Sequence, residues 1–157
     1  MTHRKFARWV APIAAQLAAG RREVADIARS VPDDKWSEAS PAQGWTYKDM
    51  LGHLAVGDWA IQHVLRSVVN GGPVDMSIVA RFNEMNEQYR QERGGRSVGE
   101  LMGEVMSMGE ETQRLLTGLK PGQEELQVAR WKLNELLQGF SGHDPAHLAE
   151  LRTALEA

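Results

Sequence analysis

Residues 44–55, which read GWTYKDMLGHLA, mark the start of a long helix from which the rest of the chain can be interpreted. Thr46 and Asp49 have the T-x-x-D spacing of a capping box, in which each side chain bonds the backbone N–H of the other residue. Residues 70–73, NGGP, are a strong stop signal. Between these signals, apolar positions recur every three or four residues, which predicts an amphipathic helix over about residues 46–70.

Four further segments show the helical period, and no segment shows the sustained alternation of a half-buried strand. They predict helices over about residues 12–30, 77–93, 97–119 and 126–155. In the last segment Pro145 removes a helical hydrogen bond and clashes with the preceding turn. Either the helix is kinked there, or a new helix starts with Asp144 as its N-cap and Pro145 at its first position.

Long amphipathic helices joined by short connections are typical of an antiparallel bundle. We therefore expect an all-α fold without a sheet, formed as a single domain over residues 1–157 with a short extra N-terminal segment. Trp36 and Trp45 interrupt the polar loop over residues 31–44. Large aromatic side chains in such a loop are expected to be buried and to anchor it to the core.

The charge pattern argues against nucleic acid as a partner, since the net charge is -3 and no long basic run occurs. Arg21 and Arg22 are expected on a solvated helix face. No apolar run approaches the length of a membrane span. Arg8, Pro12 and Gln16 interrupt the apolar residues near the N-terminus, where a signal peptide needs a continuous apolar core. We therefore expect a cytoplasmic protein with no membrane partner.

The chain contains no cysteine. This excludes disulfides, thiolate metal ligands and a catalytic cysteine. Any metal must be held by histidine, aspartate or glutamate, and any thiol chemistry must use a thiol from outside the chain.

The histidines suggest a metal site. His143 and His147 are four residues apart, so on a continuous helix both imidazoles lie on one face and can share a metal. His53 lies at the edge of the inward face of the second helix, and a bundle can build a site from facing helices. These three would leave a coordination position open for water or substrate. On spacing alone, core histidines with hydrogen-bonded neighbours are an equal alternative. His63 is turned about 80° from His53 on the same helix, and His3 is expected to be exposed.

Five other polar residues have a structural alternative that we favour. Asp144 could accept a hydrogen bond from an imidazole, but an N-cap role is favoured. Asp58 and Glu150 are expected to be solvated charges. Asn83 and Asn86 could contact a substrate, but an exposed helix face is favoured.

Two parts of the chain resemble DinB/YfiT-like proteins, which include the mycothiol-dependent maleylpyruvate isomerases. Residues 31–36, VPDDKW, and 41–55, PAQGWTYKDMLGHLA, resemble the opening of those proteins, where a Gly-Trp-Thr-like start leads to a metal-binding histidine, here His53. Residues 142–152, GHDPAHLAELR, resemble their final pair of ligands, here His143 and His147. Pro145 between the two ligands departs from the family pattern.

The resemblance implies a four-helix bundle core, a divalent metal such as zinc or nickel, and a homodimer in many members. It implies a metal-dependent enzyme acting on a small molecule: a low-molecular-weight-thiol-dependent S-transferase or isomerase, or a hydrolase. The metal would lower the pKa of a bound water or thiol. The alternative is a non-catalytic metal- or ligand-binding stress-response protein. An open coordination position facing a pocket would favour the enzyme, and a closed site would favour the alternative.

Overall fold

A computed structural model describes residues 4–42, 44–74 and 76–156, and this part of the chain is mostly helical, as predicted. None of its helices is long and apolar enough to cross a membrane. In chain order the α-helices are α1 (Ala11–Ser30), α2 (Tyr47–Val69), α3 (Ser77–Ala80), α4 (Phe82–Arg93), α5 (Val98–Leu116), α6 (Leu133–Ser141) and α7 (His143–Arg152). Short 3-10 turns occupy Asp33–Lys35, Gln123–Glu125 and Thr153–Leu155.

Helix α2 lies at the centre of the fold and packs most extensively against α5, with α4 and α7 also in contact. Helix α1 packs against α7, α5 and α6. The capping box that opens α2 is present as predicted. The Thr46 hydroxyl accepts from the backbone N–H of Asp49 at 3.1 Å, and the Asp49 carboxylate accepts from that of Thr46 at 3.0 Å.

The apolar core consists of two clusters. The first cluster contains Leu17 of α1 and Ile61 of α2, and the second contains Val24 of α1 and Leu54 of α2. Along α1 the first cluster precedes the second, and along α2 the order is reversed. The segment between the two clusters contains a buried polar residue in each helix, Arg21 in α1 and Asp58 in α2. A polar layer therefore separates the clusters. His143 of the candidate site lies in this layer against Gly57, and His53 and His147 lie beside the second cluster.

The prediction that the last helical segment begins near residue 126, in a fold without a sheet, is wrong at residues 127–132. Residues Gln127–Val128 (β1) pair antiparallel with Trp131–Lys132 (β2), in the register Gln127↔Lys132 and Val128↔Trp131. The turn between them places Ala129 at a φ of 54°. Strands of two residues are too short to produce a recognisable alternation, so the pattern could not indicate them.

A new helix starts near Pro145, as one of the two alternatives predicted, but it starts earlier. Helix α6 ends at Ser141, Gly142 is the N-cap of α7, and α7 begins at His143. Asp144 is therefore not the N-cap. Pro145 is the third residue of α7, within the first turn, where a backbone N–H has no acceptor inside the helix.

The predicted third helix is also divided, since Arg81 separates α3 from α4. No residue of α4 is fully buried. Its Phe82, Met85 and Tyr89 are half-buried, so α4 covers α2 without entering the core. In the first loop Trp36 is buried, as predicted, whereas Trp45 is half-buried against the ring of His53.

Candidate metal centre

The structure brings His53 of α2 together with His143 and His147 of α7. One ring nitrogen from each histidine lies within 4.8 Å of the other two. The Nε2 atoms of His53 and His143 are 3.0 Å apart. Two nitrogens bound to one tetrahedral zinc at about 2.0–2.1 Å are about 3.3–3.4 Å apart, so this spacing is close to that of a metal site. Within the described residues, no fourth histidine, cysteine or carboxylate joins the cluster.

Hydrogen bonds orient two of the three rings. Nδ1 of His53 lies 2.7 Å from the amide oxygen of Asn86 in α4, and Nδ1 of His147 lies 3.1 Å from the carboxylate of Glu150. Both oxygens can only accept, so each neutral histidine carries its proton on Nδ1. Nε2 of each ring then carries a lone pair, and that of His53 accepts a hydrogen bond from Nε2 of His143 at 3.0 Å. Partners of this kind commonly fix the tautomer and orientation of metal-binding histidines.

His143 is held by packing instead. Its buried Nδ1 has no hydrogen-bond partner among the described residues. The ring stacks on Phe140, with 6.1 Å between centroids and 16° between planes. Its other neighbour is Gly57 in α2, where a Cβ atom would lie 2.7 Å from Cε1 of His143. The missing side chain at Gly57 therefore makes room for the ring.

Burial keeps these rings neutral. Desolvation, followed by repulsion from His147, lowers the pKa of His53 to about 4 against the opposing effects of Asn86 and Glu150. Desolvation, followed by repulsion from His53 and His147, lowers the pKa of His143 to about 3. Both side chains are neutral at pH 7. Neutral imidazole is the form that binds a metal ion.

A second polar group in the same layer is an ion-pair cluster, which we call the carboxylate clamp: Arg21 of α1, Asp58 of α2 and Asp144 of α7. Arg21 donates from Nε to Asp144 at 2.8 Å, and its Nη1 lies 2.7 Å from Asp58 Oδ2. Thr112 of α5 donates to the other oxygen of Asp58 at 2.9 Å. All three clamp residues are at most 7% exposed, so their charges depend on one another.

The clamp corrects three sequence predictions. Arg21 and Asp58 were expected on solvated faces, but both are buried because each is paired with an opposite charge. Asp144 neither caps α7 nor contacts an imidazole, because its carboxylate accepts from Arg21.

Two more sequence predictions are wrong, and both concern residues that bond an imidazole of the cluster. Glu150 was expected to be a solvated charge, but it is half-buried and bonds His147. Asn86 was expected on an exposed face, but it is half-buried and bonds His53, whereas Asn83 is exposed as predicted. The i, i+3 spacing of His147 and Glu150 on one helix was a signal that could have identified this pair.

The other two histidines are not part of the cluster. Nδ1 of His63 lies 3.0 Å from the carbonyl oxygen of Trp59, and the two rings are in contact, with centroids 4.7 Å apart. His63 therefore points elsewhere, as its position on α2 predicted. His3 lies outside the described residues.

Two cavities adjoin the cluster. One, lined by residues that include Trp45, His53 and Asn86, measures only about 20 Å³. The other is an apolar groove of about 370 Å³ that has His143 in its wall. The histidine cluster therefore borders a space large enough for a small molecule.

Comparison with known proteins identifies one family. The family model described as "Mycothiol maleylpyruvate isomerase N-terminal domain" matches residues 17–154, a range that contains all three clustered histidines. No curated protein matches the chain, and no solved structure does.

Proposed function

The chain belongs to the mycothiol maleylpyruvate isomerase N-terminal domain family, which is DinB/YfiT-like, and from this premise we propose that it is a metal-dependent enzyme acting on a small molecule. His53, His143 and His147 hold one divalent metal ion, zinc or nickel. The single observation that carries the proposal is the convergence of three ring nitrogens within 4.8 Å of one another.

The surroundings of the rings support metal binding over a purely structural cluster. Asn86 and Glu150 favour the tautomers of His53 and His147 with the proton on Nδ1, which leaves the lone pair of each ring on Nε2. The packed imidazoles offer lone pairs, and His53 and His143 bring no charge of their own. A divalent cation supplies the charge that such a donor set lacks.

The reaction we propose uses a nucleophile that comes from outside the chain. When bound, the ion lowers the pKa of a water or thiol ligand, so that the deprotonated nucleophile exists near neutral pH. The family description names mycothiol, and the chain itself has no cysteine, so a low-molecular-weight thiol is our first candidate co-substrate. Transfer of that thiol, thiol-dependent isomerisation and hydrolysis all fit this chemistry.

The alternative is a non-catalytic metal- or ligand-binding stress-response protein. A structural site is usually closed by four protein ligands. The cluster contains three histidines and no fourth ligand among the described residues, and a groove of about 370 Å³ borders it. These two features favour the enzyme.

Several finer features belong to the same proposal. We propose that α1, α2, α5 and the α6–α7 segment form the antiparallel four-helix bundle of the family, in which α1 and α2 run in opposite directions, and that the chain is one domain. A homodimer and a cytoplasmic location remain predictions from the sequence.

The proposal is tested by titrating the protein and four variants with zinc and with nickel against a competing chelator. We expect His53→Ala, His143→Ala and His147→Ala each to weaken binding by at least about 100-fold, since each removes a ligand. The matched control is His63→Ala, which lies on the same helix as His53 and should bind like the unmodified protein. Equal metal retention in His53→Ala and His63→Ala would contradict the assignment.

The activity is tested with the same proteins. Metal-loaded protein is assayed with mycothiol, and separately with bacillithiol, against a panel of small electrophiles. We expect thiol consumption that is lost in His53→Ala and kept in His63→Ala. Tight metal binding without turnover of any electrophile would favour the non-catalytic alternative.

A further inference from the structure

The apolar groove beside His143 is much larger than the cavity beside His53. Residues of α2, α4 and α6 line it, together with one strand of the hairpin. Its volume of about 370 Å³ lies within the range of small-molecule sites, about 300–1,000 Å³. The cavity on the His53 side, at about 20 Å³, holds no more than a water or two.

The walls of the groove are almost entirely apolar. Phe82, Trp131 and Phe140 supply three aromatic rings. The single charged residue in the lining is Glu135, which is exposed and therefore lies at the mouth. Arg130 stacks on the ring of Trp131 at 4.4 Å, but it is not among the lining residues. A carboxylate inside the groove would thus be desolvated without a cation in the walls to pair with it.

His143 connects the groove to the metal site. Its ring forms part of the wall and stacks on Phe140, while its Nε2 faces His53 at 3.0 Å. A molecule in the groove is therefore separated from the cluster by the width of one imidazole. Only a molecule that extends past this ring reaches the point where the three nitrogens converge.

We propose that this groove binds the apolar body of the substrate, and that the substrate is an uncharged aromatic electrophile rather than a carboxylic acid. The inference rests on the proposed function, because only a metal-bound nucleophile would give a molecule held here something to react with. The aromatic walls provide apolar and ring-stacking contacts to a planar body. The apolar lining and Glu135 act against an anion.

Gly139 provides a variant that fills the groove from within. It lines the groove on α6, and a Cβ atom built there meets nothing within 4 Å. Gly139→Leu therefore adds a bulky side chain at a position that lines the groove, and its Cβ atom meets no neighbour. The matched control is Gly103→Leu on α5, where a Cβ atom also meets nothing within 4 Å and which is not part of this groove.

The probes are benzyl alcohol and benzoate, which share one ring and differ in charge. Each is titrated into metal-free protein while the indole N–H signal of Trp131 is followed by NMR. We expect benzyl alcohol to shift that signal and to bind at least tenfold more tightly than benzoate. Gly139→Leu should weaken benzyl alcohol at least tenfold, and Gly103→Leu should leave it unchanged.

Two results would overturn the inference: benzoate binding as tightly as benzyl alcohol, or Gly139→Leu binding benzyl alcohol as tightly as the unmodified protein. Zinc titration of the same samples reports on the proposed function separately. Zinc binding without benzyl alcohol binding refutes the groove and leaves the metal site intact. Binding of benzyl alcohol without zinc binding supports the groove as an aromatic site and refutes the metal centre.

Discussion

Two groups of polar side chains meet at the layer between the two apolar clusters, and their charges are dealt with in opposite ways. In the carboxylate clamp, one guanidinium lies against two carboxylates, and each charge has an opposite charge within 2.8 Å. In the histidine cluster, three like groups face one another, and burial lowers the pKa of His53 and His143 so that they stay neutral. The charges of the first group are balanced by its own members, whereas the second, on the proposed function, would be completed by a cation from outside.

Neighbouring residues of α7 serve the two groups. Asp144 joins the clamp, and His143 joins the histidine cluster. The ion pairs of the clamp therefore hold the first turn of α7 against α1 and α2. His143 and His147, on either side of Asp144 in the chain, face His53. The comparison predicts that damage to the clamp appears as lost stability, and that damage to the cluster appears as lost metal affinity.

The largest effect is expected from Arg21→Met, which leaves Asp58 and Asp144 buried without their cation. Removing one partner of a buried ion pair typically costs about 3–5 kcal/mol. We expect a loss of this size in the free energy of unfolding, measured by urea denaturation. Arg22→Met is the matched control: Arg22 is the exposed neighbour, where a substitution changes stability by less than about 0.5 kcal/mol. Similar effects from both variants would mean that the clamp does not stabilise the fold.

The next largest effect is expected from a substitution that disturbs the histidine cluster sterically and removes neither a charge nor a ligand. Gly57→Ala places a Cβ atom 2.7 Å from Cε1 of His143 and must displace the ring. We expect zinc affinity to fall by about 100-fold, or about 2.7 kcal/mol. Gly52→Ala on the same helix meets Leu101 at an ordinary 3.7 Å and should bind zinc normally. Unchanged zinc affinity in Gly57→Ala would show that His143 is not a ligand.

A smaller effect is the pH dependence of the metal-free protein. The pKa values of His53 and His143, about 4 and about 3, lie below the value of about 6.5 expected for unfolded histidine. As the pH falls below about 6.5 the unfolded chain takes up protons first, so stability decreases toward pH 4. The slope is at most about 1.4 kcal/mol per pH unit for each histidine.

Urea denaturation between pH 7.5 and pH 4.5 measures this slope. His53→Gln should flatten it, and His63→Gln should keep it. Burial raises the pKa of Asp58, so the contribution of Asp58 to stability increases as the pH falls, opposite to that of the histidines. Because Asp58 is present in both variants, its contribution cancels in the comparison. An unchanged slope in His53→Gln would contradict the assignment of this proton uptake to the cluster.

The smallest effect is expected from Asn86→Ala, which removes the acceptor for Nδ1 of His53 but no ligand. Loss of such a partner commonly costs about 10–100-fold in metal affinity, and we expect the lower end because His53 is also packed against Trp45. Asn83→Ala, at an exposed position of the same helix, should have no effect on zinc binding. A zinc affinity that is equal in the two variants would remove Asn86 from the site.

The sequence predicts those parts of the site that depend on one helix. His143 and His147 lie on the same face of α7 whatever that helix packs against, because they are four residues apart. The family resemblance and the inward edge of α2 indicate His53. Glu150 was within reach of the same reasoning, since it follows His147 by three residues on α7.

The parts that the sequence could not provide depend on how helices meet. Arg21 and Asp58 are charged residues on different helices, and such residues are solvated unless each finds its partner. Asn86 reaches His53 only because of the way α4 lies over α2, which no periodicity specifies. The hairpin at Gln127–Val128 and Trp131–Lys132 was missed because its strands have two residues each.

The break at Gly142 has a consequence for how this protein can change over evolutionary time. It assigns two tasks to two helices: α6 contributes Glu135, Gly139 and Phe140 to the groove, whereas α7 contributes His143 and His147. Asp144 anchors α7 through Arg21, and α6 has no member in that clamp. On the proposed function, substitutions along α6 away from Phe140, whose ring packs on His143, would reshape substrate preference while the histidines keep their positions, so that new specificities would become accessible without loss of the chemistry.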